Sequence, residues 1–162
     1  TERREYHIHH TGGKMKFKRG GDLWFQDLKF QKQLEEFGMR SQRRMVEATG
    51  NAILKLHENI VVDTPVDTGA AASNWFIGAN KASDKTTDDT SLQNVVEAHA
   101  VVSAAKMNPN QVKSFVIYNN LDYIPYLEYG WSMQAPQGMY RKNIVKWRKI
   151  LDAEAKKVSR QR

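Results

Sequence analysis

The sequence predicts an α+β domain: a small antiparallel sheet flanked by a long N-terminal helix and a C-terminal amphipathic helix. Three observations predict it. Apolar residues recur at helical spacing from about residue 27 to 62, and again over 140–158. Between these stretches lie two short apolar runs, Ser73–Gly78 and Phe115–Tyr118, each bounded by turn residues. The whole chain has 162 residues, which suits one domain and leaves little room for two.

Taken in order, residues 1–21 are polar and basic, with Gly12-Gly13 and Gly20-Gly21 bracketing an alternating Lys14-Met15-Lys16-Phe17-Lys18. This reads as a basic N-terminal arm, with a short strand as the alternative. Residues 22–162 read as the single domain. Its first helix carries Phe30, Leu34, Phe37, Met45, Ala48, Ala52, Leu56 and Ile60 on one face, while Lys32, Glu35, Arg43, Glu47, Lys55 and Glu58 lie largely off it. Gly38 and Gly50 are where so long a helix would bend or divide. Thr64-Pro65 ends it, because the residue before a proline disfavours the α region.

Asp67-Thr68-Gly69 reads as a turn, with Gly69 able to take positive φ. Ser73–Gly78 follows as a strand, and residues 80–91 as an exposed polar loop. Val95 through Ala105 predicts a helix of three turns, with a strand as the alternative, broken by Asn108-Pro109-Asn110. Phe115-Val116-Ile117-Tyr118 reads as a buried strand closed by Asn119-Asn120. Tyr123–Gly130 is a short helical or turn segment stopped by glycine, and Trp131–Met139 an irregular loop. The last helix, 140–158, has an expected inner stripe of Ile144, Trp147, Ile150 or Leu151, Ala155 and Val158.

The formal charge is +7, and it is unevenly placed. Residues 1–21 hold six basic against two acidic side chains, and residues 141–162 hold nine against two. The intervening 119 residues are net acidic, with ten against fourteen. This argues against a uniformly basic nucleic-acid-binding domain and for basic ends on an ordinary core. The lack of cysteine removes disulfides, Cys-based zinc sites and a thiol nucleophile together. No apolar run approaches the length of a membrane span. Thr1–Tyr6 lacks the apolar stretch of a secretory signal, so a soluble, intracellularly assembled product is expected.

Motifs that would carry chemistry fail one by one. His7, His9 and His10 have metal-ligand spacing on a strand, but no third ligand type sits at a helpful distance, so a solvated arm is expected. His57-Glu58 opens a zinc-protease pattern that breaks at Val61, where the second histidine should stand. Gly20-Gly21 is followed by Asp22 rather than by the Lys and Ser/Thr of a phosphate-binding loop. Asp84, Asp88 and Asp89 lack the alternating oxygens, central glycine and terminal glutamate of a calcium loop. No serine sits in a strand–turn–helix nucleophile context. The expectation is a non-enzyme without cofactor or metal.

Aromatic residues are more informative. Tyr118, Tyr123, Tyr126, Tyr129, Trp131 and Tyr140 crowd into 23 residues, with Met133 and Met139 beside them. Aromatics and methionine are enriched in interface cores, so this loop is a candidate docking surface. Packing of Tyr126 and Tyr129 under the sheet is the alternative. The candidate contacts are Trp131, Met133, Gln134, Pro136, Met139 and Tyr140. Arg141, Lys142, Lys146 and Lys149 are candidate basic contacts on the last helix. They suit salt-sensitive attraction to phosphates or an acidic protein surface, with no base-reading motif.

Three stretches in order resemble one family. Thr64-Pro65-Val66-Asp67-Thr68-Gly69 closes a long helix. Ile117-Tyr118-Asn119-Asn120 precedes Tyr123 through Leu127-Glu128-Tyr129-Gly130. Gln134-Ala135-Pro136-Gln137-Gly138-Met139 leads at once into a helix. Over roughly residues 30–158 the chain resembles the small tail-completion or neck proteins of tailed bacteriophages, which are similar in fold to tail-terminator proteins. It departs from them at Ala70-Ala71-Ala72, in a long 80–112 insert and in its His-bearing arm.

The resemblance implies a virion structural protein at the head–tail junction that joins or completes the tail. It would be a ring, hexameric by preference or dodecameric, against neighbouring neck, connector or tail-tube proteins, with genomic DNA passing through its lumen unread and no membrane contact. It assigns scaffold roles to Pro65, Asp67, Thr68 and Gly69 in the helix-to-strand turn, where Asp67 would bond backbone amides. Asn119, Tyr126, Glu128 and Gly130 would fix the segment entering the loop. The rival class is a cytosolic nucleic-acid-binding module that uses the basic ends.

Overall fold

A computed structural model describes the backbone of residues 23–161 and the side chains of residues 30–161. The proposed arm and its histidines therefore lie outside the described residues. The chain divides into two compact units, residues 1–38 and 39–162. Helix α1, Leu23–Asp63, has 41 residues, and both Gly38 and Gly50 lie within it. In the first unit the described backbone is helical, and Phe30, Leu34 and Phe37 are exposed.

The second unit is built on the rest of α1. Ala48, Ala52, Leu56 and Ile60 of the expected stripe are buried, with Val46, Ile53 and Val61 beside them. Met45, expected to be buried with them, is 69% exposed. Thr64 closes the helix with its hydroxyl on the Ile60 carbonyl, 2.6 Å. Gly69 then takes φ 89°. Ala70–Ser73 forms a short helix, α2, where a strand is expected to begin. Three successive alanines favour the helical turn over extension, so strand β1 starts later, at Phe76–Ala79.

Residues 80–91 form no helix or strand, as expected of the loop. Helix α3, Gln93–Met107, resolves the open choice at 95–105 in favour of helix and buries Asn94, Ala98, Val102 and Ala105. It crosses α1 closely at Gly50, where an added Cβ would lie 2.7 Å from the Val102 side chain. After a 3-10 turn at Pro109–Gln111 comes β2, Phe115–Tyr118. It pairs antiparallel with β1, Phe76 opposite Tyr118 and Ala79 opposite Phe115. All four β2 residues are half-buried rather than buried. Phe115 and Ile117 face the core, and Tyr118 meets the 80–91 loop through its hydroxyl, 2.8 Å from Ser83 Oγ.

Helix α4, Ile124–Glu128, ends before Gly130 at φ 87°. The expected final helix is divided. Helix α5 spans Tyr140–Ile144 and α6 Trp147–Arg160. At the junction Lys146 N bonds the Asn143 carbonyl, 3.0 Å, an i to i+3 link that tightens the turn. Ala155 is exposed instead of lying on the inner stripe, whereas Ile144, Trp147, Ile150 and Leu151 are half-buried and Val158 is buried. The core gathers Leu56, Ile60, Trp75, Ile77, Val102, Ile124 and Met139.

Candidate functional site

The Trp131–Met139 loop is irregular, so its backbone groups need partners outside a regular ladder. Trp131 N bonds the Tyr126 carbonyl, Ala135 N and Gly138 N bond within the loop, and Glu128 holds the loop's exit into α5. Its carboxylate accepts the N–H groups of Met139 (3.0 Å), Tyr140 (2.9 Å) and Arg141 (2.8 Å), which are the orphan donors opening α5. A negative charge is favoured there by the helix dipole. The Arg141 guanidinium closes the arrangement, donating to the Glu128 carboxylate at 3.2 Å and to its carbonyl at 2.6 Å. It also lies 4.9 Å from the Tyr129 ring centroid.

Two glycines permit this closeness. Gly138 sits at φ 75°, and an added Cβ would lie 2.4 Å from the Glu128 carbonyl oxygen and 2.6 Å from its Oε1. At Gly130 an added Cβ would lie 2.7 Å from the Pro136 carbonyl. Both positions exclude a side chain by conformation and by contact.

The Pro65–Gly69 turn meets the same loop, and further bonds tie the neighbouring segments to α2 and α5. Gln134 pairs with the Val66 backbone, Oε1 accepting its N–H at 3.0 Å and Nε2 donating to its carbonyl at 3.4 Å. Asn119 Nδ2 donates to the Ala71 carbonyl, 3.0 Å, and Asn119 Oδ1 accepts Leu121 N. Asp63, at the end of α1, accepts Lys142 Nζ (2.9 Å) and Asn143 Nδ2 (2.7 Å). Partial burial opposes ionisation of Asp63, but those hydrogen bonds outweigh it and hold the carboxyl below its usual range. Pro65–Ala71, Tyr123, Leu127, Ser132 and Gln134 enclose a cleft of about 300 Å³.

What this scaffold presents is apolar. Met133 is 99% exposed and Trp131 77%, while Tyr126 and Tyr129 are exposed as well, so the two tyrosines do not pack under the sheet. The Tyr126 and Trp131 rings meet in a tilted arrangement, 4.9 Å between centroids and 56° between planes. Pro136 and Tyr140 are exposed too. Met139 is the exception among the expected contacts: fully buried, it anchors the loop in the core. The expected Asp67 bond to backbone amides is instead made by its neighbour, Thr68 Oγ1 accepting Ala70 N at 3.3 Å. Among the basic candidates, Arg141 and Lys142 are held by Glu128 and Asp63, and Lys146 reaches Asn143 Oδ1 at 3.3 Å. Lys149 is exposed.

Sequence reasoning missed a buried polar cluster. His57 Nε2 donates to the Trp75 carbonyl (2.8 Å), which also accepts Asn94 Nδ2 (2.8 Å), and Trp75 Nε1 donates to Thr64 Oγ1 (2.9 Å). Burial pushes the His57 imidazole below its ordinary value, against the opposing pull of the Trp75 bond and nearby Glu58. A polar side chain at a helix position facing the core was the available signal. Asparagines were a second one. Asn74, Asn80 and Asn120 fasten the polar loop by bonds to Thr87, to Lys113 and Ser114, and to Ser83 and Lys85.

Among the described residues no group of three or more His, Cys, Asp or Glu side chains is placed to hold a metal ion. None of the described helices is long and apolar enough to cross a membrane. The chain matches no family model, no curated protein and no solved structure.

Proposed function

We propose that this is a structural assembly protein rather than an enzyme: a ring-forming neck or tail-completion subunit of a tailed phage virion. The observation that carries the reading is the exposed Trp131–Met133 surface on a loop fixed from three sides, by Glu128, Gln134 and buried Met139. Exposed aromatic and methionine side chains suit docking, and a loop backbone already held in place has less freedom left to lose on contact. The resemblance of the three stretches adds the phage setting, and two of them meet this loop, through Val66 and through Glu128.

Ring closure needs two different complementary surfaces on each subunit. The first helix would supply one, and the loop with the adjoining sheet edge the other. The basic ends would reach neighbouring rings or the passing DNA. Trp131→Ala combined with Met133→Ala tests the reading, since both side chains are exposed and their loss should spare the fold. Light scattering should then report weakened assembly, and undiminished ring formation by the double variant would remove the surface from the interface.

A further inference from the structure

Strand β2 is paired on one side only. Among the described residues the sheet consists of β1 and β2. Asn80 N donates to the Ser114 carbonyl, 2.8 Å, and in this register the antiparallel ladder continues through Gly78 with Val116 and Phe76 with Tyr118. The N–H and C=O groups of Phe115 and Ile117 therefore point away from β1. Among the described residues none of these four groups has a hydrogen-bond partner.

The edge so exposed is Phe115-Val116-Ile117-Tyr118, aromatic or β-branched throughout, with neither proline nor charge inside it. Such an edge is a template for a further strand, and two strands alone are marginal. Beside it runs a groove of about 350 Å³ between α1 and the start of β2. Met45, Val46, Val112 and Phe115 line it, and Lys113 is its single charged residue. The exposed Met45 of the α1 stripe is thus one wall of this groove.

We propose that edge and groove receive residues Lys14–Lys18 of a second copy of this chain, added as a third strand. The proposal rests on the ring reading above and names what its sheet edge binds. The segment lies outside the described residues, before Leu23, and its sequence selects it. In Lys14-Met15-Lys16-Phe17-Lys18 an extended backbone carries Met15 and Phe17 on one face and the lysines on the other. The apolar face suits the groove, and the lysines then turn away from it to solvent. Gly12-Gly13 and Gly20-Gly21 let the chain turn off the edge at both ends, whereas the other alternating run, Tyr6 to His9, has such a pair on one side only. This is recognition by strand addition, in which main-chain bonds hold the segment and alternate side chains specify it. One such contact is weak alone, and repetition around a closed ring strengthens it.

The chain has no cysteine, so introduced ones are its only thiols. Lys16→Cys marks the lysine face of the segment, and Lys113→Cys marks the exposed approach to the edge. Mixed full-length chains carrying one cysteine each, treated with a short bismaleimide, should give crosslinked pairs of unlike chains far above pairs of like chains. Adding Met15→Asp and Phe17→Asp should cut that yield at least tenfold. The same two substitutions should speed hydrogen exchange at the Phe115 and Ile117 amides at least tenfold relative to the assembled wild type. In a chain carrying both cysteines the link should join different molecules; a link within one molecule puts the segment on its own edge and overturns the second copy as its source. No crosslink, or unchanged exchange at the two amides, overturns the seat while leaving rings possible. A wild type that stays monomeric throughout overturns both the second-copy source and the ring reading.

Discussion

The two halves of α1 share one apolar periodicity and meet opposite fates. Ala48, Ala52, Leu56 and Ile60 are buried in the core of the second unit, whereas Phe30, Leu34, Phe37 and Met45 are exposed. Periodicity specifies which face of a helix is apolar, not which molecule covers it. In the buried half the cover comes from α3, β1 and the loop segments of the same chain. The larger side chains are the exposed ones, which is the reverse of what solubility alone would favour.

Substitutions sharpen that contrast, the largest effect coming from the core. Leu56→Ala or Ile60→Ala should cost about 2–5 kcal/mol, since both sites are almost fully buried. Phe37→Ala should stay within about 0.5 kcal/mol, as for other exposed positions. Urea unfolding followed by circular dichroism separates the two, and an equal loss at Phe37 would mean that its face is covered within the chain. Next in size is the loop mount. Glu128→Ala strips three N–H groups of their acceptor and should cost about 2–3 kcal/mol, weakening assembly beyond its effect on stability.

Acid should act on the core half as well. His57 is depressed by burial, so below its ordinary value of 6.5 the unfolded chain binds a proton that the folded chain refuses. Stability from this group is complete above about pH 6.5 and falls as pH drops toward the folded value, by at most about 1.4 kcal/mol per unit. Asp63, also depressed, adds a loss only below its ordinary 3.8. Denaturant midpoints for wild type and His57→Gln between pH 7 and 5 check this, the variant showing the shallower slope. The smallest effects come from the two helical glycines. Gly38→Ala, with nothing within 4 Å of an added Cβ, should stabilise by about 0.5–1 kcal/mol. Gly50→Ala must displace Val102, and should destabilise by about 1 kcal/mol.

The sequence carried the element order, because long periodic helices and the Phe115–Tyr118 run are strong local signals. It misplaced β1, where the alanines after Gly69 wind into a turn before extension begins. It also ran α5 and α6 together, since the apolar periodicity continues across a junction whose one tightened turn, Lys146 N on the Asn143 carbonyl, has no local signature. Around the loop, Glu128, Gly130 and Gln134 stand out in the sequence as residue types, but their physical roles were not legible there. The cap from Glu128 depends on contacts across 11 to 13 residues that no local pattern announces. Met139 shows the same limit: beside Trp131 and Met133 in sequence it reads as surface, and only tertiary packing places it in the core.

The central claim is head-to-tail assembly through two unlike apolar surfaces, and native mass spectrometry of the concentrated wild-type chain tests it most directly. We predict a closed ring, a hexamer by preference, that dissociates when Trp131 and Met133 are both replaced by alanine. Monomers at every concentration, or a symmetric dimer as the largest species, would contradict it.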